Sequence, residues 1–501
     1  MSTAAVVEPQ NPTLLWRRLQ PLRATSWSAF QIHFAQAARR AAHETKNPRL
    51  ATLAVSNNSF RRWIAGEQMP RADARAVLEH WFGQSVEVLL GPAMGLPAAR
   101  TLPDDTLTLA RTVSRQWATS TLTPTESVPG TGGHWRLDGV ATFDPTDVTV
   151  QLYEARRRGE MLIIDPADHE HLRHLAAGSG RALVIAAHEG ELHLLDAAHA
   201  RRHLASPHPL PLVPVHRSHR LDDLTYALTW ALLLCDDALL ADDHALEDQQ
   251  EALEQYRQLP RSAPARASMP DLRAATSAFL GSEFCARHIL GLLEDAGTVP
   301  LFWTREQRGE QAVGWLLFRH KHAYLRAAGA RFGVRGSRRM ARAFCIPADT
   351  VAGSDPYERI LLFLAVALME LHGLDVWVSA DEAYAGVEGF VLVPGERAIV
   401  ANWVAGNAMW RVDATDAPGD LLGYEQLLDD ASAASIMRGD NPGDRLRALS
   451  EHLALDWAWL TGRCGELAAT GASTMLRPRS RHLTLTEVDR VLAFVASLER
   501  R

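Results

Sequence analysis

Apolar residues recur at helical spacing in the first part of the chain. Those within Trp27–Ala42 lie three and four positions apart, which places them on one stripe of an amphipathic helix. The stretch Arg71–Phe82 has the same spacing, and Gly83 follows it as a helix stop signal. The pattern predicts an all-helical N-terminal segment that ends near Pro92.

From residue 135 onwards, strand patterns alternate with helical ones. Short apolar runs bounded by turn residues predict strands, and the turn at Glu189-Gly190 predicts a hairpin. Up to residue 258 the predicted elements are a strand at Met161–Ile164, a helix at Pro166–Ala177, the hairpin Ala182–Leu195, and helices at Leu221–Leu240 and Asp242–Gln258. After residue 270 they are helices at Asp271–Asp295, Pro356–His372 and Ala448–Leu460, and strands at Asp375–Ser379, Gly389–Val393, Ala398–Trp403 and Ala408–Asp413, of which the last two pair.

With 501 residues the chain is too long for one compact core, so several domains are expected. Stretches rich in Pro and small residues indicate linkers at 93–134, with a helix around Leu107–Trp117, and at 259–270. We therefore predict a mixed α/β multidomain protein. It has an all-α domain over 1–92, an α/β then helical middle domain over 135–258, and a C-terminal α/β regulatory domain over 271–501.

The net charge of −7 conceals an uneven distribution. Residues 1–92 contain eleven Lys/Arg and six Asp/Glu, so they carry +5 and the rest of the chain carries −12. A basic head on an acidic body is typical of a protein whose head contacts nucleic-acid phosphates. The acidic residues of the middle helices are interpreted as a solvated face; they are Asp236, Asp237, Asp242, Asp243, Glu247 and Asp248.

Cysteine usage and hydropathy favour a reducing compartment without a membrane segment. The four cysteines, Cys235, Cys285, Cys345 and Cys464, lie at least fifty residues apart and form no C-x-x-C pair, so we expect buried thiols. No apolar run is long enough to span a bilayer, and the N-terminus lacks the layout of a signal peptide. We expect a cytoplasmic protein with no cofactor and no metal. Walker, G-x-G-x-x-G and G-x-S-x-G motifs do not occur.

The most specific motif begins at Val55 and reads V-S-N-N-S-F-R-R-W-I-A-G-E-Q-M-P-R. Ser56 is a good N-cap, Phe60 and Trp63 would face inward, and Gly66 would end the helix. The outer face then has the chemistry for the major groove, because Asn pairs with adenine, Arg with guanine, and Ser with bases or phosphates. The candidate DNA-binding residues are Ser56, Asn57, Asn58, Ser59, Arg61, Arg62 and Arg71.

This stretch resembles the recognition helix of XRE-type, or lambda-repressor-like, helix-turn-helix regulators, and in particular the large actinobacterial ones. The matching positions are Arg62, Trp63, Gly66, Glu67 and Pro70, and the likeness covers roughly Trp27–Pro92. Ile64 and Ala65 depart from the usual acidic and basic residues, and Leu50 and Ala54 depart from the usual second helix and its glycine turn. The resemblance implies a transcriptional regulator that binds double-stranded DNA as a homodimer on two half-sites.

Other interpretations of the N-terminal and C-terminal segments stay open. The motif could form a protein-interaction module. Gly373–Asn402 faintly resembles regulator-fused metallopeptidases, and Trp410–Thr415 resembles transglutaminase-like folds, with Cys345 as nucleophile and Asp413 as orienting acid. Both would be degenerate, since H-E-x-x-H and the transglutaminase histidine do not occur, and we expect no enzyme.

Two further groups of residues are candidates for binding. His169, His171 and His174 are interpreted as solvated helix polarity rather than metal ligands. The aromatic segments Leu301–Trp303, Trp315–Phe318 and Trp457–Leu460 could line a pocket for a small-molecule effector, or could be core.

Overall fold

The chain forms two compact units, Met1–Leu102 and Pro103–Arg501, the second of which we call the body. The structure is a computed structural model. It describes residues 13–19, 24–82, 85–90, 104–125, 131–165, 172, 175, 181–205, 212–254, 261–262, 271–332, 339–402 and 410–499. Its helices and three sheets confirm the predicted mixed α/β multidomain class, with a helical N-terminal unit.

The described part of the N-terminal unit is all helical. Its elements are α1 (Leu14–Leu19), α2 (Trp27–Glu44), a 3-10 helix (Pro48–Thr52), α3 (Asn57–Ile64), α4 (Ala72–Phe82) and α5 (Val86–Leu90). The apolar stripe of α2 is buried against the other helices, as its periodicity predicts; it consists of Phe30, Phe34, Ala37, Ala38 and Ala41.

The body begins with a helix and a five-stranded sheet. These are α6 (Asp104–Gln116), β1 (Ser120–Thr123), β2 (Thr131–Leu137), β3 (Thr146–Glu154), β6 (Ala182–His188) and β7 (Glu191–Asp196), in the sheet order β1-β2-β3-β6-β7. Of the predicted linker over 93–134, the described residues 104–125 and 131–134 contain α6, β1 and the start of β2. Buried and exposed residues alternate along β1, and the Trp117 indole stacks in the core. These contacts hold the segment in place, although its composition is that of a loop.

A small sheet lies beside the first one. It contains β4 (Arg156–Arg158), β5 (Met161–Ile164) and β8 (Val213–His216), and α7 (Ala197–Leu204) follows β7. The predicted strand at Met161–Ile164 and the hairpin Ala182–Leu195 are confirmed. Glu189 and Gly190 form its turn with φ of 49° and 82°, a conformation that favours glycine at the second position. The predicted helix Pro166–Ala177 lies outside the described residues, apart from Leu172 and Leu175.

Two helices, α8 (Asp223–Ala241) and α9 (Asp243–Glu254), connect this region to the second half of the body. By length and composition α8 is the one described helix that could cross a membrane, and 83% of its apolar window is buried inside the body. The solvated acidic face predicted here is wrong for Asp236, which is fully buried. Its carboxylate accepts hydrogen bonds from the backbone N–H groups of Arg479 and Ser480 and pairs with Arg181.

The second half of the body contains a seven-stranded sheet in the order β12-β11-β10-β13-β14-β15-β9. Its strands are β9 (Arg261–Ser262), β10 (Leu301–Thr304), β11 (Ala341–Cys345), β12 (Asp375–Ser379), β13 (Phe390–Val393), β14 (Arg397–Asn402) and β15 (Arg411–Thr415). Strands β12, β11 and β10 run parallel to one another, and the other neighbouring strands are antiparallel. β14 pairs with β15, as predicted. In the predicted linker 259–270, the described pair Arg261–Ser262 is a strand of this sheet.

Helices pack on both faces of the seven-stranded sheet, and further helices pack on these. The helices of this half are α10 (Ala274–Leu292), α11 (Gly309–Leu317), α12 (Arg319–Phe332), α13 (Ala348–Ala352), α14 (Pro356–Leu371), α15 (Pro418–Ala433), α16 (Pro442–His452), α17 (Trp457–Ala468), α18 (Ala472–Met475) and α19 (Thr486–Ser497). The pattern predicts one helix over Ala448–Leu460, but two are present. Ala454 takes a left-handed φ of 50° between them, and the Asp456 carboxylate caps the start of α17.

The predicted middle and C-terminal domains share one core. Trp117 of the predicted linker stacks on Tyr226 of α8, with ring centroids 4.3 Å apart. The Tyr226 ring in turn meets the ring of Tyr357 in α14 edge-on at 4.9 Å. Side chains far apart in sequence therefore bury one another, which is why the body forms a single compact unit.

Candidate nucleic-acid interface

Local sequence explains where α3 begins and ends. The Ser56 hydroxyl accepts a hydrogen bond from the backbone N–H of Ser59 at 3.1 Å, which satisfies one of the donors left open at the helix start. At the other end Gly66 has a φ of 71°, and a Cβ there would lie 3.0 Å from the carbonyl oxygen of Leu90. Both ends of the predicted recognition helix are thus confirmed as structural features.

The inner face of α3 holds it against α2. Phe60 stacks on Phe30 with centroids 4.3 Å apart, and Trp63 lies 6.4 Å from Phe34. Ile64, at the position where the resembling regulators have an acid, is buried as well. The buried isoleucine side chain adds an apolar anchor, and its backbone carbonyl oxygen accepts a hydrogen bond from the Thr13 hydroxyl at 2.9 Å.

The seven predicted DNA-binding residues remain on the surface. Ser59 is half-buried, and the other six, Ser56, Asn57, Asn58, Arg61, Arg62 and Arg71, are exposed. Within the described part of the chain, none of the three arginines forms an ion pair. The amide and guanidinium groups of α3 therefore face solvent with their hydrogen-bonding capacity largely unused, whereas the hydroxyls of Ser56 and Ser59 bond to each other.

The element before α3 is a 3-10 helix and not an α-helix. Pro48 opens it, and the Asn47 side chain accepts a hydrogen bond from the N–H of Arg49 at 3.3 Å. Leu50 is buried, and the chain then continues in an extended conformation through Leu53. Because Ala54 replaces the usual glycine, this connection uses no left-handed residue. The backbone around Leu50 and Ala54 is therefore neither an α-helix nor a glycine turn.

Further cationic groups of the N-terminal unit contribute to its charge, although the motif does not single them out. Arg39, near the end of α2, and Lys46 and Arg49 after it are exposed and form no ion pair with a described residue. Arg75 differs, because Glu79 and Glu87 pair with it at 3.0 and 2.8 Å. The signal that could have found Arg39, Lys46 and Arg49 is their lack of acidic neighbours at helical spacing.

The structure does not bring the suggested nucleophile and acid of the body together. Cys345 ends β11 and Asp413 lies on β15, and three strands separate these two, a distance of about 19 Å at ~4.8 Å per strand. Burial raises the pKa of the Cys345 thiol to about 11, with Asp381 adding to the rise. Its Sγ donates to the carbonyl oxygen of Asp381 at 3.3 Å. The thiol is therefore a buried, protonated group, as are the other three by burial.

The histidines and aromatic segments named from the sequence have different outcomes. His169, His171 and His174 lie outside the described residues, and among those described no group of three or more His, Cys, Asp or Glu could hold a metal ion. Phe302, Trp303 and Trp315 line a cavity inside the body. Of the third segment, Trp457 instead packs on the ring of Phe363 in the core.

Comparisons with protein-family models, curated proteins and solved structures find no match for this chain. The binding capacity of α3 therefore follows from its own side chains. They offer bidentate amide and guanidinium groups on one exposed helical face, flanked by unpaired cations.

Proposed function

We propose that the chain is a sequence-specific, double-stranded-DNA-binding transcriptional regulator that reads the major groove with α3. The observation that carries the proposal is the division of this helix into two faces. Phe60, Trp63 and Ile64 are buried, whereas Asn57, Asn58, Arg61 and Arg62 are exposed on the opposite side. A helix held from behind by aromatic packing presents its polar face as a rigid surface, which base recognition requires.

The surrounding charge supports the same function. Arg39, Lys46, Arg49 and Arg71 are exposed cations without acidic partners among the described residues. Such groups contact phosphates, and they add affinity that falls with salt and does not depend on sequence. In this proposal α3 provides the sequence specificity, and the other cations hold the protein in register on the DNA by contacting phosphates.

The proposal includes a cytoplasmic homodimer whose body sets the oligomeric state or responds to a small molecule. Two copies of a recognition helix would read two half-sites about one helical turn apart. A body of this size is far larger than a DNA-reading module requires, so an additional role for it is expected.

The experiment is a selection of bound duplexes from a random-sequence library by the full-length protein, followed by gel-shift titration on the enriched sequence. We expect an enriched sequence with two related half-sites. Arg61→Ala/Arg62→Ala should weaken binding by ~1–3 kcal/mol for each base pair that these arginines read. Arg157→Ala/Arg158→Ala is the matched control, because it removes two adjacent exposed arginines from β4 of the body.

Two outcomes would contradict the proposal. A selection that enriches no sequence would favour the protein-interaction module. Unchanged affinity of the Arg61/Arg62 variant for the enriched sequence would show that another surface reads the DNA.

A further inference from the structure

A cavity of about 60 Å³ lies inside the body, between one face of the seven-stranded sheet and the helices that cover it. Strands β10, β11 and β13 form its floor, and α10, α11 and α12 form its walls. Its lining combines apolar with polar and charged residues. Phe302 and Trp315 contribute rings, and Ile289 and Val391 contribute aliphatic side chains. The side chains of Trp303 and Phe390 point to the opposite face of the sheet.

Charged side chains converge on this apolar cavity. Lys321 and Arg342 line it, each 4% exposed, together with the half-buried Arg305. The one carboxylate in the lining is that of Glu306, which is 2% exposed. The cavity therefore holds more formal positive than negative charge in a region where an uncompensated charge is costly.

The single carboxylate is already engaged by other groups. Glu306 Oε1 accepts a hydrogen bond from the indole N–H of Trp315 at 3.0 Å and lies 3.9 Å from Nζ of Lys321. The Lys321 ammonium also sits 3.7 Å from the centre of the Trp315 ring. Glu306 and Lys321 thus form a pair, which leaves Arg342 without an acidic partner among the described residues.

One nitrogen of the Arg342 guanidinium forms a hydrogen bond, and the other two do not. Its Nη1 donates to the Thr304 hydroxyl at 2.7 Å, and its guanidinium packs 4.6 Å from the rings of both Phe302 and Trp315. Its Nε and Nη2 are buried and form no hydrogen bond of good geometry with a described residue, and the Tyr324 hydroxyl is the neutral group close to the guanidinium. Buried donors are almost always satisfied, so two open ones on a single rigid side chain need an explanation.

Neighbouring segments of the chain cannot supply the missing anion. The two stretches 333–338 and 403–409, which lie outside the described residues, contain no Asp or Glu, and the same holds for 255–260 and 263–270. A ligand is the remaining source of a compensating charge at this position.

We propose that this cavity binds a small organic carboxylate. The Nε and Nη2 atoms of Arg342 present two parallel N–H groups, which match the two oxygens of a carboxylate. The apolar part of the ligand packs against Phe302, Ile289 and Val391. The size of the cavity limits that part to a few non-hydrogen atoms. This site is independent of the proposed DNA binding and is tested separately from it.

The test uses the full-length protein and three probes, namely propionate, its neutral and nearly isosteric amide propionamide, and inorganic phosphate. Binding is measured as a saturable rise in the melting temperature of the body and as a change in tryptophan fluorescence, since the Trp315 ring lines the cavity. Hydrogen exchange of the peptides that contain β10 and β11 locates the bound probe. We expect propionate to give all three effects and propionamide to give none.

Variants of Arg342 test whether propionate binds at this residue. Arg342→Gln should weaken propionate binding roughly 10- to 100-fold, the loss expected for hydrogen bonds to a charged group. Arg342→Lys keeps the charge but removes the planar pair of donors, so it should also bind weakly, and it serves if the glutamine variant fails to fold. Arg339→Gln is the matched control, because Arg339 is exposed two residues before β11.

Three results would overturn the inference. Equal responses to propionate and propionamide would show that charge is not recognised. Undiminished binding by a folded Arg342 variant would place the anion elsewhere. Saturable binding of phosphate without binding of propionate would exclude the carboxylate class. If both Arg342 variants unfold, the three probes and the exchange map of the native protein decide alone.

Discussion

The ring of Phe60, on the inner face of α3, stacks on the ring of Phe30 in α2 with an angle of 25° between their planes. Both side chains are almost completely buried. A rotation of α3 about its axis would break this stack, so the stack fixes which residues of the helix face solvent. The orientation of Asn57, Asn58, Arg61 and Arg62 thus depends on a residue that does not itself contact a ligand.

Replacing Phe60 should release α3 from the N-terminal unit. We expect Phe60→Ala to cost about 3–5 kcal/mol, the usual range for truncating a buried phenylalanine, and to abolish specific DNA binding. Hydrogen exchange of the α3 amides in the full-length protein measures the first effect, and gel shift measures the second. Met69→Ala is the control, because Met69 is an exposed apolar residue of the same unit. Retained protection of α3 in the Phe60 variant would contradict this account.

The N-cap of α3 allows folding and binding to be separated. Ser56→Ala removes the hydroxyl that accepts the Ser59 N–H and should lower the local stability of α3 by about 1 kcal/mol. Ser56→Asp keeps a capping acceptor but adds a negative charge at the proposed DNA surface. It should therefore preserve exchange protection while weakening DNA binding, more so at low salt. Equal DNA affinity of the aspartate variant and the wild type would place this end of α3 away from the DNA.

We expect Asp236 to stabilise the body far more than its place in an acidic run of the sequence indicates. Its carboxylate accepts N–H groups of Arg479 and Ser480 at 3.0 and 2.7 Å and pairs with the buried Arg181. Asp236→Asn leaves Arg181 with only longer pairs, so we expect a loss of about 3–5 kcal/mol. Chemical denaturation of the full-length protein measures this loss of free energy of unfolding. Asp248→Asn, at an exposed position in the same run, should change stability by less than ~0.5 kcal/mol.

The body should lose stability as the pH falls below about 6.5. Burial lowers the pKa of His219 to about 3 and the pKa values of His193 and His322 to about 4. Between those values and the ordinary pKa of 6.5 the unfolded chain binds protons that the native body does not, so stability decreases with acidity. Glu358 acts in the opposite direction, because burial raises its pKa to about 7 and its contribution is lost as the pH rises.

Denaturation midpoints measured from pH 7.5 to 4.5 check this pH dependence. His219→Gln retains a polar group for the Thr474 hydroxyl, which the imidazole Nε2 meets at 3.1 Å. It should flatten the slope by up to about 1.4 kcal/mol per pH unit. His244→Gln, at an exposed position, should leave the slope as it is. An identical slope in the His219 variant would mean that this histidine is already protonated in the native body.

The sequence by itself determined the local structure of this protein. Periodicity placed α2 and α4, and the Glu189-Gly190 turn placed its hairpin, because these features depend on residues that are neighbours along the chain. The same holds for α3, since Ser56 and Gly66 set its ends and the spacing of Phe60 and Trp63 set its inner face. The sequence was therefore sufficient to predict which residues of α3 are exposed.

Only the tertiary structure decided which distant segments share a core and which polar groups are buried. Trp117 belongs to the body because it stacks on Tyr226, more than a hundred residues away, and composition carries no trace of that packing. In the sequence Asp236 resembles a surface acid, and only the fold brings the N–H groups of Arg479 and Ser480 to it. Arg342 becomes a candidate anion site only because the folded sheet and helices exclude water and acidic partners from two of its donors. Burial and pairing are properties of non-local contacts, and sequence periodicity reports only local ones.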